Sequence, residues 1–187
     1  MGKIKTGWKL PPLSLPVALL GANVSGKPNF FTVAWFNMLQ ADPPLICASM
    51  GKTHYTRKGI VENKTFSINV PSSRMAEIVD YCGLVSGRET DKSRLFDVFY
   101  GGLRTAPMAS ECGLNIECRL TDSREFDESV LIIGEIAEVF CEERYLTDGK
   151  PDCAKMDPLL FFMPEGPYLK TGEAVARAFE AGRNFVP

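Results

Sequence analysis

Two long β segments in the second half of the chain constrain its fold more than any other feature. From Leu114 to Thr121, apolar and polar residues alternate, which is the pattern of a half-buried strand. Ser129–Leu146 is a second long β segment, and Gly134 predicts a break or bend within it. We expect the two segments to form a long antiparallel hairpin.

Shorter predicted elements surround this hairpin. Further strands are predicted at Pro16–Gly21, Phe30–Leu39, Leu45–Met50, Phe66–Val70 and Leu159–Met163, with a turn at Asp42-Pro43-Pro44. Short helices are predicted from Thr53, as the N-cap, to Val61, from Pro71 to Gly83, over Asp91–Phe99, and over Thr171–Ala181 with Val175 and Phe179 inward. Because regular β-α-β alternation is missing, the pattern favours a mainly β (α+β) fold, a closed antiparallel barrel with short helices, over a doubly wound sheet.

Composition narrows the class of protein. A length of 187 residues fits a single domain over residues 1–187, and a net charge of −2 provides no basic field for nucleic acid or an anionic membrane. No apolar run approaches a membrane span, so we expect a cytoplasmic protein. Six cysteines without a Cys-x-x-Cys pair, and a single histidine, argue against a zinc or iron–sulfur site. We expect reduced thiols, mostly buried, and no metal.

The sequence offers little for catalysis without a cofactor. A serine or cysteine triad would have to use His54, the only histidine, and no Gly-x-Ser-x-Gly motif is present. The chain also lacks a Walker A loop and a Gly-x-Gly-x-x-Gly motif. Difficult chemistry would therefore need a bound cofactor.

The segment Asn29–Thr56 has the chemistry of a cofactor site. It places short polar side chains among large apolar residues, and the helix start at Lys52–Arg57 offers free N–H groups, hydroxyls and cations to a phosphate. A flavin ring has polar edges, which the backbone of Ala34–Phe36 and the side chains of Asn37 and Ser49 could serve. Taken singly, each residue has another interpretation, because strand aromatics usually belong to a core and charged residues usually face solvent.

Three ordered blocks of sequence change this balance. They are Asn29–Asn37 (NFFTVAWFN), Asp42–Thr56 (DPPL followed by GKTHYT) and Val79–Lys92 (VDYCGLVSGR followed by DK). Together they resemble the flavin reductase-like family, which has the FMN-binding split-barrel fold, and within it the flavoredoxin-like branch. The resemblance continues through Ile133–Ile136 and Tyr168–Gly172 and covers nearly the whole domain.

The resemblance implies a homodimer of split β-barrels with FMN near the dimer interface. Carried over by position, the residues along the flavin would be Asn29, Thr32, Ala34, Trp35 and Asn37. The ring edge, ribityl chain or phosphate would contact Ser49, Met50, His54, Tyr55 and Thr56. Ser86, Gly87 and Lys92 would complete the site, and Phe161 or Phe162 would close over it.

One departure from the family pattern bears on function. Family members often carry a histidine shortly before the Ile-Gly-Glu motif, where this chain has Ser129. The first hypothesis is an FMN-dependent oxidoreductase that transfers electrons from NAD(P)H to free flavin, ferric iron or a partner protein. The alternative, which Ser129 favours, is a flavoredoxin-like carrier reduced by a protein donor such as a ferredoxin. A third is a split-barrel dimer that has lost its cofactor.

Overall fold

The computed structural model describes residues 2–183 and Phe185, and these residues form mainly antiparallel strands. The strands are β1 (Ser14–Pro16), β2 (Ala18–Val24), β3 (Lys27–Val33), β4 (Phe36–Ala41), β5 (Pro44–Gly51), β6 (Thr65–Val70), β7 (Val98–Phe99), β8 (Met108–Ala109), β9 (Leu114–Glu125), β10 (Ser129–Cys141), β11 (Leu146–Thr147), β12 (Lys150–Pro151), β13 (Leu159–Phe162) and β14 (Tyr168–Lys170). The α-helices are α1 (Tyr55–Asn63), α2 (Ala76–Leu84) and α3 (Cys153–Met156).

A seven-stranded antiparallel sheet in the order β3-β2-β6-β9-β10-β5-β4 forms the centre of the molecule. The predicted hairpin is confirmed as β9 and β10, and their pairing shifts register between Ile133 and Gly134, where the bend was expected. A Cβ at Gly134 would lie 2.5 Å from Cζ of Phe66, so the shift occurs where the core leaves no room for a side chain.

The two edge strands of this sheet follow each other directly in the chain. The prediction of one strand over Phe30–Leu39 is wrong, since β3 and β4 lie at opposite edges and are joined by Ala34 and Trp35. The N–H of Ser49 on β5 donates to the Trp35 carbonyl at 2.8 Å, which holds this crossing against the far side of the sheet. The sheet therefore curves round on itself, and the crossing lies where the barrel closes.

Two apolar clusters fill the molecule. The larger one lies inside the curved sheet, and its buried members include Leu20, Phe31, Ile46, Phe66 and Ile132. The second lies between α2 and the outer face of β2 and β3, where Val79 and Cys82 are buried as their helical spacing predicted. This second cluster fixes the C-terminal end of α2 beside β3.

The helices depart from prediction mainly at their ends. The first begins at Tyr55 with His54 as N-cap, so Thr53 is not the cap, and the segment predicted as a helix over 91–99 is a 3-10 turn, Lys92–Leu95, followed by β7. The predicted helix over Thr171–Ala181 is absent, and the side chains of Val175 and Phe179 are 98% and 93% exposed. Helices of that length are marginal in water unless packing stabilises them, and these two apolar residues have no core to pack against.

The described part of the chain has no helix long and apolar enough to cross a membrane. Within the same residues, no group of three or more His, Cys, Asp or Glu side chains is arranged to hold a metal ion. All six cysteines are free thiols, of which Cys82, Cys112 and Cys118 are buried.

Candidate cofactor site

Two adjoining cavities, of about 240 Å³ and 310 Å³, lie where the barrel closes. The first, here called the polar end, lies between β3, the start of α1 and the segment from Cys82 to Lys92. The second, here called the open end, is lined by residues 31–35, Ser49–Gly51 and Ser129. Phe31, Thr32 and His54 line both cavities, so the two lie side by side, and we call them together the trough.

The start of α1 makes the polar end receptive to an anion. No side chain caps this helix, and its first turn contains no acidic residue, so its free N–H groups and partial positive charge are available. Thr56, on the first turn, is 1% exposed, and its hydroxyl oxygen accepts a hydrogen bond of 2.6 Å from Nδ2 of Asn29. Since the oxygen is engaged as an acceptor, its own proton is free to be donated to a ligand.

A buried lysine adds a full positive charge to the same cavity. Lys92 is only 2% exposed, and its Nζ donates to the carbonyl oxygens of Cys82 at 2.9 Å and Val85 at 3.0 Å. These two bonds fix the C-terminal end of α2 and leave the third N–H of the ammonium group available. Burial lowers the pKa of Lys92, and burial also raises the pKa of the neighbouring Cys82 thiol to about 11. At neutral pH the thiol is therefore uncharged and does not neutralise the lysine.

Close backbone approach shapes the wall of the polar end at Gly87. A Cβ there would lie 2.0 Å from Oδ1 of Asn29 and 2.9 Å from Cδ1 of Tyr55. The guanidinium of Arg88 lies 5.9 Å from the centre of the Tyr55 ring and donates to the Thr53 carbonyl at 3.4 Å. The loop after α2 and the start of α1 are thus held together around the cavity.

The open end is more apolar and reaches solvent. Met50 is buried beneath it, whereas Trp35 at its rim is 54% exposed. His54 separates the two ends: its Nδ1 lies 3.0 Å from the Gly51 carbonyl oxygen, and its ring stands 4.8 Å from the Phe31 ring, centre to centre. A flat ligand could lie along β3 and β5 with one edge open to a partner.

The structure brings most of the predicted site residues to this trough. Those that line it are Asn29, Thr32, Ala34, Trp35, Ser49, Met50, His54, Tyr55, Thr56, Ser86, Gly87 and Lys92. Asn37 lies outside it on the exposed strand β4, where its Oδ1 accepts from the Met38 N–H at 2.8 Å. Phe162 lines a separate apolar cavity with Trp8, Leu10 and Met163.

Several lining residues were not predicted as site residues. Phe31 and the helix end Cys82–Val85 line the polar end, and Gly51 and Ser129 line the open end. The helical spacing of Val79 and Cys82 indicated only a buried face and gave no sign that the helix end would reach a cavity. Ser129 did carry a signal, because it occupies the place of a family histidine.

The comparisons with known proteins agree on one family. The sequence model described as "Flavin reductase like domain" matches residues 11–164. Flavoredoxin from Methanosarcina acetivorans is 47% identical, with a TM-score of 0.94 over 98% of each chain. Flavoredoxin of Desulfovibrio vulgaris (Miyazaki F) is 33% identical, with a TM-score of 0.91 over 97% of this chain and 100% of that one.

A third similar structure is an FMN-binding protein from Thermus thermophilus with bound 1-cyclohex-2-enone. It is 26% identical, with a TM-score of 0.81 over 95% of this chain and 100% of the other. The expected fold class is confirmed, since the structure is mainly β with one large antiparallel sheet and short helices. The chain belongs to the flavin reductase-like domain family and has its split-barrel fold.

Proposed function

We propose that the protein binds FMN in the trough and acts as a flavoredoxin-like electron carrier. The observation that carries the proposal is that a small, positively charged polar end lies directly beside a more apolar open end. FMN has the matching shape, with a phosphate at one end of a polyol chain and a flat ring at the other. The 47% identity to a flavoredoxin over 98% of both chains supports the same assignment.

The donors at the polar end suit a phosphate. Thr56 presents a hydroxyl proton, Lys92 an ammonium N–H, and α1 its uncapped N–H groups. Thr53 and Ser86 add hydroxyls to the lining. No acidic side chain is among the residues that line this cavity, so a dianion meets no opposing charge there.

The residues of the open end would orient the ring and limit its contact with water. The backbone of Val33–Trp35 and the Ser49 hydroxyl can serve the polar edges, and Met50 provides an apolar surface beneath. When bound, FMN supplies the redox chemistry, taking electrons from a donor and releasing them to an acceptor. The protein's part is to position the ring, to leave one edge accessible beside Trp35, and to set the surrounding charge through Lys92.

The source of the electrons separates two candidate functions. Ser129 lines the open end at the place where the family resemblance leads us to expect a histidine, which favours a protein donor such as a ferredoxin. The second candidate is an NAD(P)H-dependent oxidoreductase that passes electrons to free flavin, ferric iron or a partner protein. The exposure of Trp35 favours this second candidate, because it leaves the open end accessible from solvent. A nicotinamide must reach a face of the flavin ring to react with it.

One experiment tests both the binding of FMN and the identity of the electron donor. The purified protein is loaded with FMN, freed of excess by gel filtration, and mixed anaerobically in a stopped-flow spectrometer with NADH, NADPH or reduced ferredoxin. We expect a retained flavin absorbance band that bleaches rapidly with ferredoxin and slowly or not at all with the nicotinamides. Rapid bleaching by NADH or NADPH would favour the oxidoreductase. A protein that stays colourless after FMN is added would contradict both and support a split barrel that has lost its cofactor.

A further inference from the structure

A third cavity, of about 560 Å³, lies beside the polar end of the trough. His54 and Tyr55 line both spaces. The remaining lining of the third cavity consists of four cationic side chains and one valine, which are Lys52, Arg57, Lys58, Arg88 and Val61. We call this space the basic cavity.

The basic cavity concentrates positive charge on a chain that is slightly acidic as a whole. The net charge of the protein is −2, yet no carboxylate is among the residues that line this space. Glu125, at its margin, pairs with Lys52 at 3.4 Å and with Arg57 at 2.5 Å. Neither Lys58 nor Arg88 is paired with a carboxylate in the part of the chain that the structure describes. One carboxylate against four cations leaves the cavity positively charged.

The charges of the basic cavity are within reach of a large partner. The side chains of Lys52 and Arg57 are 32% and 31% exposed, whereas Lys92 in the polar end is only 2% exposed. A phosphate group is small enough to reach Lys92, but a protein surface is not. A neighbouring cavity of about 250 Å³ includes the carboxylates of Glu89 and Asp91, so an acidic partner would be repelled there. The basic cavity is therefore the place on this side of the molecule where an acidic protein is attracted.

The lining also has the composition of an interface between proteins. Tyrosine and arginine are enriched at such interfaces, and Tyr55, Arg57 and Arg88 all line the cavity. The Arg88 guanidinium lies 5.9 Å from the centre of the Tyr55 ring, and Val61, which is 51% exposed, adds an apolar surface. The planar guanidinium groups of the two arginines suit bidentate pairs with carboxylates.

We propose that the basic cavity is the docking surface for the electron donor, and that this donor is an acidic redox protein that places a carboxylate-bearing segment there. The inference rests on the proposed function and adds the charge of the donor and its place of contact. His54 lines the basic cavity and both ends of the trough, so a protein seated in the cavity lies against the wall of the flavin site. Opposite charges on the two proteins would also raise their rate of association.

The test measures docking separately from electron transfer. The oxidised, FMN-loaded protein is titrated in a calorimeter with an oxidised acidic ferredoxin and, as a probe of opposite charge, with the basic protein cytochrome c. We expect the ferredoxin to bind at low ionic strength and cytochrome c not to bind. The ferredoxin affinity should fall by about tenfold or more when salt is raised to about 0.2 M, because salt screens charges on exposed surfaces. The rate at which reduced ferredoxin bleaches the FMN band should have the same salt dependence.

Charge reversal at one lysine localises the docking surface. Lys58 lines the basic cavity and neither end of the trough. We expect Lys58→Glu to weaken ferredoxin binding by about tenfold at low salt, and Lys58→Gln by about threefold, because the first substitution adds a repulsive charge. FMN affinity, measured by fluorescence titration, should stay within about twofold in both variants. Lys150→Glu, at an exposed lysine on β12, changes the net charge by the same amount and should leave ferredoxin binding within about twofold.

Four results would count against this docking surface. Retained FMN with no binding of ferredoxin, or with ferredoxin binding that Lys58→Glu leaves unchanged, would overturn the inference while the FMN site stands. Equal losses in Lys58→Glu and Lys150→Glu would mean that ferredoxin responds to net charge and not to this cavity. Slower reduction by NADPH in Lys58→Glu, with ferredoxin unaffected, would assign the cavity to a nicotinamide nucleotide. Failure to bind FMN would overturn the proposed function together with this inference.

Discussion

Lys92 places a buried positive charge in the candidate site. Its ammonium group is almost completely removed from water, and two backbone carbonyls satisfy only two of its three N–H donors. Burying a charge is costly unless hydrogen bonds and an opposite charge compensate. A bound phosphate would provide that opposite charge. Binding of the phosphate would therefore stabilise the buried ammonium group of Lys92.

The first prediction removes this charge. Lys92→Gln should lower FMN affinity by about tenfold or more, because a hydrogen bond to a charged group contributes about 1.5–3 kcal/mol. Riboflavin lacks the phosphate, so its affinity should change much less. Fluorescence titration with both ligands measures the difference, and an equal loss for FMN and riboflavin would mean that the lysine only supports the helix end.

The second prediction concerns pH. Burial lowers the pKa of Lys92, so the free protein loses this charge at a lower pH than an ordinary lysine does. The phosphate of FMN is already largely dianionic above about pH 7. The preference for FMN over riboflavin should therefore decrease as pH rises through the lowered pKa of Lys92, and it should be flat in Lys92→Gln. A preference that stays constant up to pH values where free lysines titrate would contradict the assignment.

The third prediction concerns the backbone at Gly87. In Gly87→Ala the new methyl would overlap Oδ1 of Asn29, which must move and release its hydrogen bond to Thr56. We expect FMN affinity to fall by about fivefold or more, since the loss of one hydrogen bond costs about 1 kcal/mol. Gly172→Ala, where nothing lies within 4 Å, is the control. Unchanged binding in Gly87→Ala would show that the ligand does not depend on the Asn29–Thr56 pair.

At the scale of elements, the sequence predicted the strands with clear alternation and missed what depends on distant contacts. The hairpin of β9 and β10 was predictable because alternation and length are local properties. The crossing at Ala34 and Trp35 was not, because apolar residues continue on both sides of it and hide the change of direction. The helix that was wrongly predicted over Thr171–Ala181 failed for a different reason. Its apolar residues have helical spacing, but they pack against no other part of the described chain.

The residues of the candidate site also fall into a group that the sequence could predict and a group that it could not. The residues on β3, β5 and the start of α1 lie in one stretch of sequence, so their grouping could be predicted and the structure brings them together. Asn37 was grouped with that stretch, but it lies on β4 beyond the crossing and outside the trough, where its Oδ1 accepts from the Met38 N–H. The contribution of Cys82–Val85 depends on how α2 packs against β3, which periodicity does not reveal.

A buried amide network ties β8 and the preceding Pro107 to the central sheet. Asn69 on β6 donates to the Leu19 carbonyl at 2.8 Å, and its Oδ1 accepts from the Ala109 N–H at 3.1 Å and from Asn115 Nδ2 at 2.8 Å. The Ser67 hydroxyl in turn donates to the Pro107 carbonyl. Every member of this network is paired, so each depends on the others.

The fourth prediction tests this network. Asn69→Leu removes the shared acceptor and should lower the free energy of unfolding by about 1–3 kcal/mol for each buried group left unpaired. Urea unfolding of the flavin-free protein measures it. Asn37→Leu, on the exposed face of β4, should stay within about 0.5 kcal/mol of the wild type. Similar stability of the two variants would show that water replaces Asn69 in the network.

At the scale of the whole molecule, the rim of the open end carries apolar side chains in contact with water. Trp35 at the crossing is 54% exposed, and Met38 and Leu39 on β4 are each 50% exposed. Exposed apolar side chains close to a candidate binding site are typical of an interaction surface. We propose that a second copy of the chain covers it, forming a homodimer with the cofactor near the interface.

The fifth prediction follows from this placement. The wild type should have twice the 20.7 kDa chain mass in sedimentation equilibrium, and Leu39→Glu should shift it toward the monomer because a carboxylate would be buried in the interface. If the second copy helps to enclose the ring, Leu39→Glu should also weaken FMN, although Leu39 does not line the trough of one chain. Val175→Glu, at a position that is 98% exposed, makes the same change on a tail and should alter neither mass nor affinity. A wild type that is monomeric at micromolar concentration and still binds FMN tightly would mean that one chain holds the complete site.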